Sequence, residues 1–125
     1  MAGTIVADTL QDGAGNSTAM DNAIYGSAKA WVSFSISGGV CTRIGNYNVS
    51  SITYNSTGRY TVNLTNALAD ANGSANVSGT YNTVAVPQNR YLGAGVATAS
   101  TITVASDGSL GTASDLTFCY VAVFR

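Results

Sequence analysis

The residues able to carry acid–base or nucleophilic chemistry are few. The chain has no His and no Glu; its carboxylates are six aspartates, and its cations are Lys29, Arg43, Arg59, Arg90 and Arg125. Without His, neither a Ser-His-Asp nor a Cys-His arrangement can be assembled. Cys41 and Cys119 are the only cysteines, and two thiols do not fill the four ligand positions of a usual zinc site. No phosphate-cradling GxxxxGK[ST] or GxGxxG motif occurs. Asp12, Asp21, Asp70, Asp107 and Asp115 remain as candidates for a carboxylate pair of the glycosidase kind. Nearly all of them stand beside Gly, Ala or Asn in turn-like sequence, where an Asp side chain usually bonds its own backbone. The run "DGAGN" at 12–16, and Asp107 with Asp115, offer oxygens of the kind calcium takes, without EF-hand spacing. The expectation is a non-enzymatic chain with no catalytic, cofactor-binding or metal-binding residues.

The residues suited to recognition are more plentiful. Seven tyrosines accompany abundant Asn and Ser, a palette of adaptable binding surfaces. Tyr47, Tyr54, Tyr81 and Tyr91 fall near expected loops and are the candidates for receptor or glycan contact. Tyr60 and Tyr120 fall on apolar stripes and read as core. Several N-x-[ST] triplets, including the one at Asn48, follow from composition. Cys41 and Cys119 read as small buried strand residues, and a bridge between them would require Cα atoms within about 7 Å.

Charged residues make up 9% of the chain and the net charge is −1, against roughly 25% charged residues in ordinary soluble domains. No basic patch for nucleic acid can be built. No apolar run is long enough to span a bilayer, and the first ten residues lack the pattern of a secretory signal. A polar, nearly uncharged surface has little repulsion to keep copies apart.

These side chains must be positioned by strands. Ala28, Ala30, Val32, Phe34 and Ile36 alternate with Lys29, Trp31, Ser33 and Ser35, a period of two. Tyr60, Val62 and Leu64 alternate in the same way. The segment 74–86 reads as two short strands meeting near Tyr81–Asn82, 96–104 as one strand, and 116–124 as the last. Gly38–Gly39, Gly58, Asn72–Gly73 and Asp107–Gly108 supply turn chemistry between apolar runs. One helix-like stretch, "NALADAN" at 66–72, is too short to be stable alone. The expected fold is all-β, an antiparallel jelly-roll-like β-sandwich over 27–125, with residues 1–26 as an extended N-terminal anchoring arm.

In the last strand both faces are apolar. Leu116, Phe118, Tyr120, Ala122 and Phe124 form one; Cys119, Val121 and Val123 form the other. One face should cover the core and the other a neighbouring subunit. Val121 and Val123, with the outward-pointing Trp31, are therefore the expected interface residues. The alternative for Trp31 is packing beneath the arm.

Residues 27–72, "SAKAWVSFSISGGVCTRIGNYNVSSITYNSTGRYTVNLTNALADAN", carry a resemblance. The words Ala28–Phe34, Asn48–Thr53, Gly58–Thr65 and Ala69–Asn72, with Val121–Arg125 at the end, resemble small tail-fibre-like structural proteins of tailed phages. The similarity covers about half the chain well. Gly73 departs from it, where an aromatic commonly follows, and so does Cys41. The resemblance implies a β-sandwich, a homotrimer and a place on the virion surface, in contact with other virion proteins and presenting loops to host glycans. It implies no catalytic motif. The alternatives are a trimeric capsid decoration (cement) protein, separable by copy number on the particle, and a carbohydrate-binding module unrelated to phage.

Overall fold

The structure is a computed structural model describing residues 3, 6–81, 84–85, 91–108 and 111–125. Asn82 and Arg90 lie outside the described residues, as does the side chain of Asp21. The chain folds as an antiparallel β-sandwich. Its strands are β1 (Thr9–Gln11), β2 (Ser17–Ala19), β3 (Ala30–Ser37), β4 (Val40–Tyr47), β5 (Val49–Ser56), β6 (Arg59–Leu64), β7 (Ser74–Tyr81), β8 (Val84–Ala85), β9 (Tyr91–Thr98), β10 (Thr101–Asp107) and β11 (Phe118–Phe124). One helix, α1 (Met20–Gly26), follows β2. A four-stranded sheet runs β5-β6-β10-β9, and a five-stranded sheet runs β4-β3-β11-β7-β8.

The alternation in β3 is the strongest sequence signal, and it places Ala30, Val32, Phe34 and Ile36 in the core. They meet Tyr60, Val62 and Leu64 of β6 and Ile102 and Val104 of β10 across the sandwich. Phe34 and Tyr60 pack edge to face with ring centroids 5.8 Å apart, the arrangement favoured by their quadrupoles. Gly38 and Gly39, with φ of 57° and 78°, join β3 to β4 as a two-residue hairpin. Two positive φ values in succession match the right-handed twist of the strands.

Between β4 and β5 the chain changes sheet at one residue. Asn48 has φ 57°, a conformation Asn tolerates better than most side chains. Its amide donates to the carbonyls of Lys29 and Asn66, each at 3.1 Å, and its oxygen accepts from the Asn66 amide at 2.8 Å. The corner is thereby tied to both neighbouring segments.

Several expectations change. Residues 96–104 form two strands rather than one. The hairpin turn at 99–100 is held by Thr98, whose hydroxyl accepts from the Ser100 amide at 3.2 Å and lies 2.7 Å from the Thr101 hydroxyl. The stretch 66–72 forms bends and no helix; Leu68 is buried, and its amide donates to the Ala99 carbonyl. The arm is not simply extended. β1 and β2 pair with each other around a turn in which the Asp12 carboxylate accepts from the Ala14 and Asn16 amides, both at 2.9 Å, and from the Asn16 side chain.

The last strand presents the face opposite to the one expected. Val121 and Val123 are 4% and 1% exposed, so they belong to the core and not to an interface. Register decides this: Cys119, Val121 and Val123 stand beside Phe34, Val32 and Ala30 of β3, and directly paired residues share a face. A core already holding Phe34, Tyr60 and Leu116 takes the smaller side chains of β11. Tyr120, expected in the core, is on the outer face and 41% exposed.

Candidate binding face

The acidic side chains do not form a reaction centre. Asp115 is structural: one carboxylate oxygen accepts from the Gly58 amide at 2.7 Å and the Tyr60 hydroxyl at 2.9 Å, and the other from the Tyr54 hydroxyl at 3.0 Å. The Tyr60 oxygen in turn accepts from the Leu116 amide at 3.2 Å. Burial is the main cause that pushes the Tyr60 hydroxyl well above its ordinary pKa of 10.0. Asp107 pairs with Arg59 at 2.7 Å. Asp70 takes a two-pronged contact from Arg125, and those hydrogen bonds hold its carboxyl well below the usual range. The hydrogen bonds from Asn16 likewise lower that of Asp12. Among the described residues, no three Cys or Asp side chains gather as a metal site would require.

Gly58 explains why the Asp115 cluster closes so tightly. A Cβ there would lie 2.2 Å from the Ser106 carbonyl oxygen and 2.8 Å from the Ser114 amide nitrogen. Its φ of 67° also disfavours any side chain. The β5–β6 turn therefore presses against the chain leading into β11, and Asp115 fastens the contact.

The feature with recognition chemistry is the outer face of the five-stranded sheet. Strand pairing arranges it in rows. Tyr47, Trp31, Ala122 and Asn76 form one row across β4, β3, β11 and β7; Gly45, Ser33, Tyr120 and Ser78 form the next; Thr42, Ser35, Phe118 and Thr80 form the third. No carboxylate, Lys or Arg stands in these rows. Trp31 is 45% exposed, and its six-membered ring lies over Gly45, with atoms 3.5 and 3.7 Å from the place a Cβ would occupy. An indole covering a strand glycine is a known stabilising arrangement in sheets. Trp31, Tyr120, Ser33, Ser78, Asn76 and Ala122 enclose a shallow groove of about 360 Å³.

The four tyrosines singled out from sequence do not converge. Tyr47 stands beside Trp31 in the first row. Tyr54 is half-buried and committed to Asp115. Tyr81 ends β7, and Tyr91 begins β9 in the other sheet. Tyr120 and its serine and asparagine neighbours were not candidates. Only the β3-β11-β7 pairing brings them to Trp31, and no local pattern announces that pairing.

Both thiols remain free. Cys119 is buried between Phe34 and Gly79, and burial raises its pKa to about 12. Cys41 pairs with Ile36, on the far side of β3. Two strand spacings of about 4.8 Å separate their backbones, more than a disulfide spans.

No family model, curated protein or solved structure matches this chain.

Proposed function

We propose that the chain is a virion-surface structural protein of a tailed phage, a homotrimeric tail-fibre or tail-appendage component that contributes to host attachment. The observation carrying this reading is the N-terminal arm. The arm leaves Val6, Leu10, Ile24 and Tyr25 exposed, at 93%, 54%, 48% and 65%, and among the described residues it adds nothing to the buried core. Among the described residues, its two strands pair only with each other. Apolar side chains displayed on so small a projection suit a contact with a neighbouring subunit or another virion protein. The near-absence of charge supports close association of copies.

The words that carry the phage resemblance also fall at demanding positions. "AKAWVSF" enters and forms β3, "NVSSIT" begins at the Asn48 corner, and "GRYTVNLT" begins at Gly58. Such positions restrict sequence for reasons of fold.

Light scattering of the full chain and of a chain lacking residues 1–26 tests the assembly. The full chain is expected at three times 12.7 kDa, and the truncated chain at a lower multiple. A monomeric full chain overturns the homotrimer. The same clamp-like arm suits a capsid decoration protein. Hundreds of copies per particle would assign the chain to the head, and a few to some dozens to the tail.

A further inference from the structure

We propose that the outer face of the five-stranded sheet, centred on Trp31 and Tyr120, binds a neutral glycan. The proposal rests on the attachment reading above and names its ligand class and its surface. A pyranose ring offers a face of C–H bonds and a rim of hydroxyls. The faces of indole and phenol rings carry partial negative charge and attract the positive edges of C–H groups. Trp31 is presented for such stacking because its ring lies over Gly45 rather than standing away from the sheet. Tyr120 is its diagonal neighbour on the adjacent strand, since Trp31 pairs with Ala122 and Tyr120 with Ser33. That geometry separates the two by about 7–8 Å, comparable to the reach of a disaccharide.

The groove between them has Ala122 in its lining and Ser33, Ser78 and Asn76 around it. Hydroxyls and an amide can both donate to and accept from sugar hydroxyls. A mostly apolar groove with a few polar groups is the usual composition of a small-ligand site.

Two observations choose the occupant. The rows carry no charged side chain, so an anionic polymer or a basic peptide finds no counter-charge there. The face is also small. Four strands and three rows cover on the order of 400 Å², about half of the ~800 Å² per partner that a stable protein interface buries. A second copy would need contacts beyond these rows; an oligosaccharide would not.

Trp31 is the only tryptophan, so its fluorescence reports this face directly. Neutral gluco-, manno- and galacto-oligosaccharides are titrated into the full chain, with alginate oligosaccharide as the anionic comparison. At least one neutral series should shift the emission to the blue, and alginate should not. Retardation in gels containing the corresponding neutral polysaccharide should weaken about tenfold or more in Trp31→Ala and in Tyr120→Ser, the scale of a lost aromatic anchor. Thr103→Ala, on the exposed face of the other sheet, should leave retardation unchanged. Both altered positions face outward, and circular dichroism verifies that each variant is folded.

The proposal is overturned if no neutral oligosaccharide moves the emission, if alginate alone binds, or if both folded variants bind as before. It is also overturned if Trp31→Ala breaks a trimer into monomers, since a second copy would then occupy the face. Because the titrated oligosaccharides are monovalent, the fluorescence reads binding separately from assembly. A trimer that ignores every sugar defeats this proposal alone, and a monomer that binds sugar defeats the trimer alone.

Discussion

Asp115 accepts from one backbone amide and two phenols, and through Tyr60 it also governs the amide of Leu116. Tyr60→Phe should therefore cost about 1–3 kcal/mol in urea unfolding, the penalty of leaving such groups unpaired in a buried setting. Alkaline pH tests the same residue from another side. The pKa of Tyr60 is raised in the folded chain by burial, and burial also raises those of Cys41 and Cys119. Each group holds its proton more tightly when folded. The stability they confer is complete below the ordinary values, 9.0 for the thiols and 10.0 for the phenol. It is lost as pH rises above them. The urea midpoint should accordingly fall above pH about 9, less steeply in Tyr60→Phe. The sequence showed Tyr60 as a core residue because its neighbours alternate. It could not show Tyr54 as its companion, because the carboxylate that holds Tyr54 lies 61 residues away.

Among the elements, the corner at Asn48 has the clearest physical demand. Asn48→Ala combines a left-handed backbone, costing about 1–2 kcal/mol, with lost hydrogen bonds worth about 1 kcal/mol each. With three such bonds, a total near 4–5 kcal/mol is expected from denaturant unfolding. Asn48→Gly should lose less, because it removes the bonds but not the conformational freedom. Strands with one apolar and one polar face, β3 and β6, were legible from period alone. β11 was not, because both its faces are apolar and its orientation is set by pairing with β3. The division between β9 and β10 was hidden for a related reason: "VATASTITV" keeps strand-forming residues through the turn, and only the Thr98 and Thr101 hydroxyls mark the reversal. β4 carries mixed faces with exposed Val40, Ile44 and Tyr47, and β5 turns Val49, Ile52 and Tyr54 toward the core across a register shift between Val49 and Ser51, so neither kept a strict period to find.

At the scale of the whole molecule, the sandwich and the arm are independent in what stabilises them. Among the described residues, the buried core draws on residues 30–123 and on none of the arm. With both chains diluted to monomers, removing residues 1–26 should thus leave the unfolding free energy in urea within about 0.5 kcal/mol of the full chain, the range of changes that touch no core contact. A larger loss would mean that the arm folds back onto its own sandwich. The all-β class and the change of character near Gly26 could be read from composition and turn spacing, whereas the order of strands in each sheet could not, since it rests on contacts between distant segments. The recognition face belongs to the second kind, because Trp31, Tyr120 and Asn76 lie on three strands that only the folded sheet sets side by side. The two separated thiols give the molecule a further property. No covalent bond has to form after folding, and none can be lost to a reductant. The same sandwich is therefore compatible with a reducing and with an oxidising medium alike.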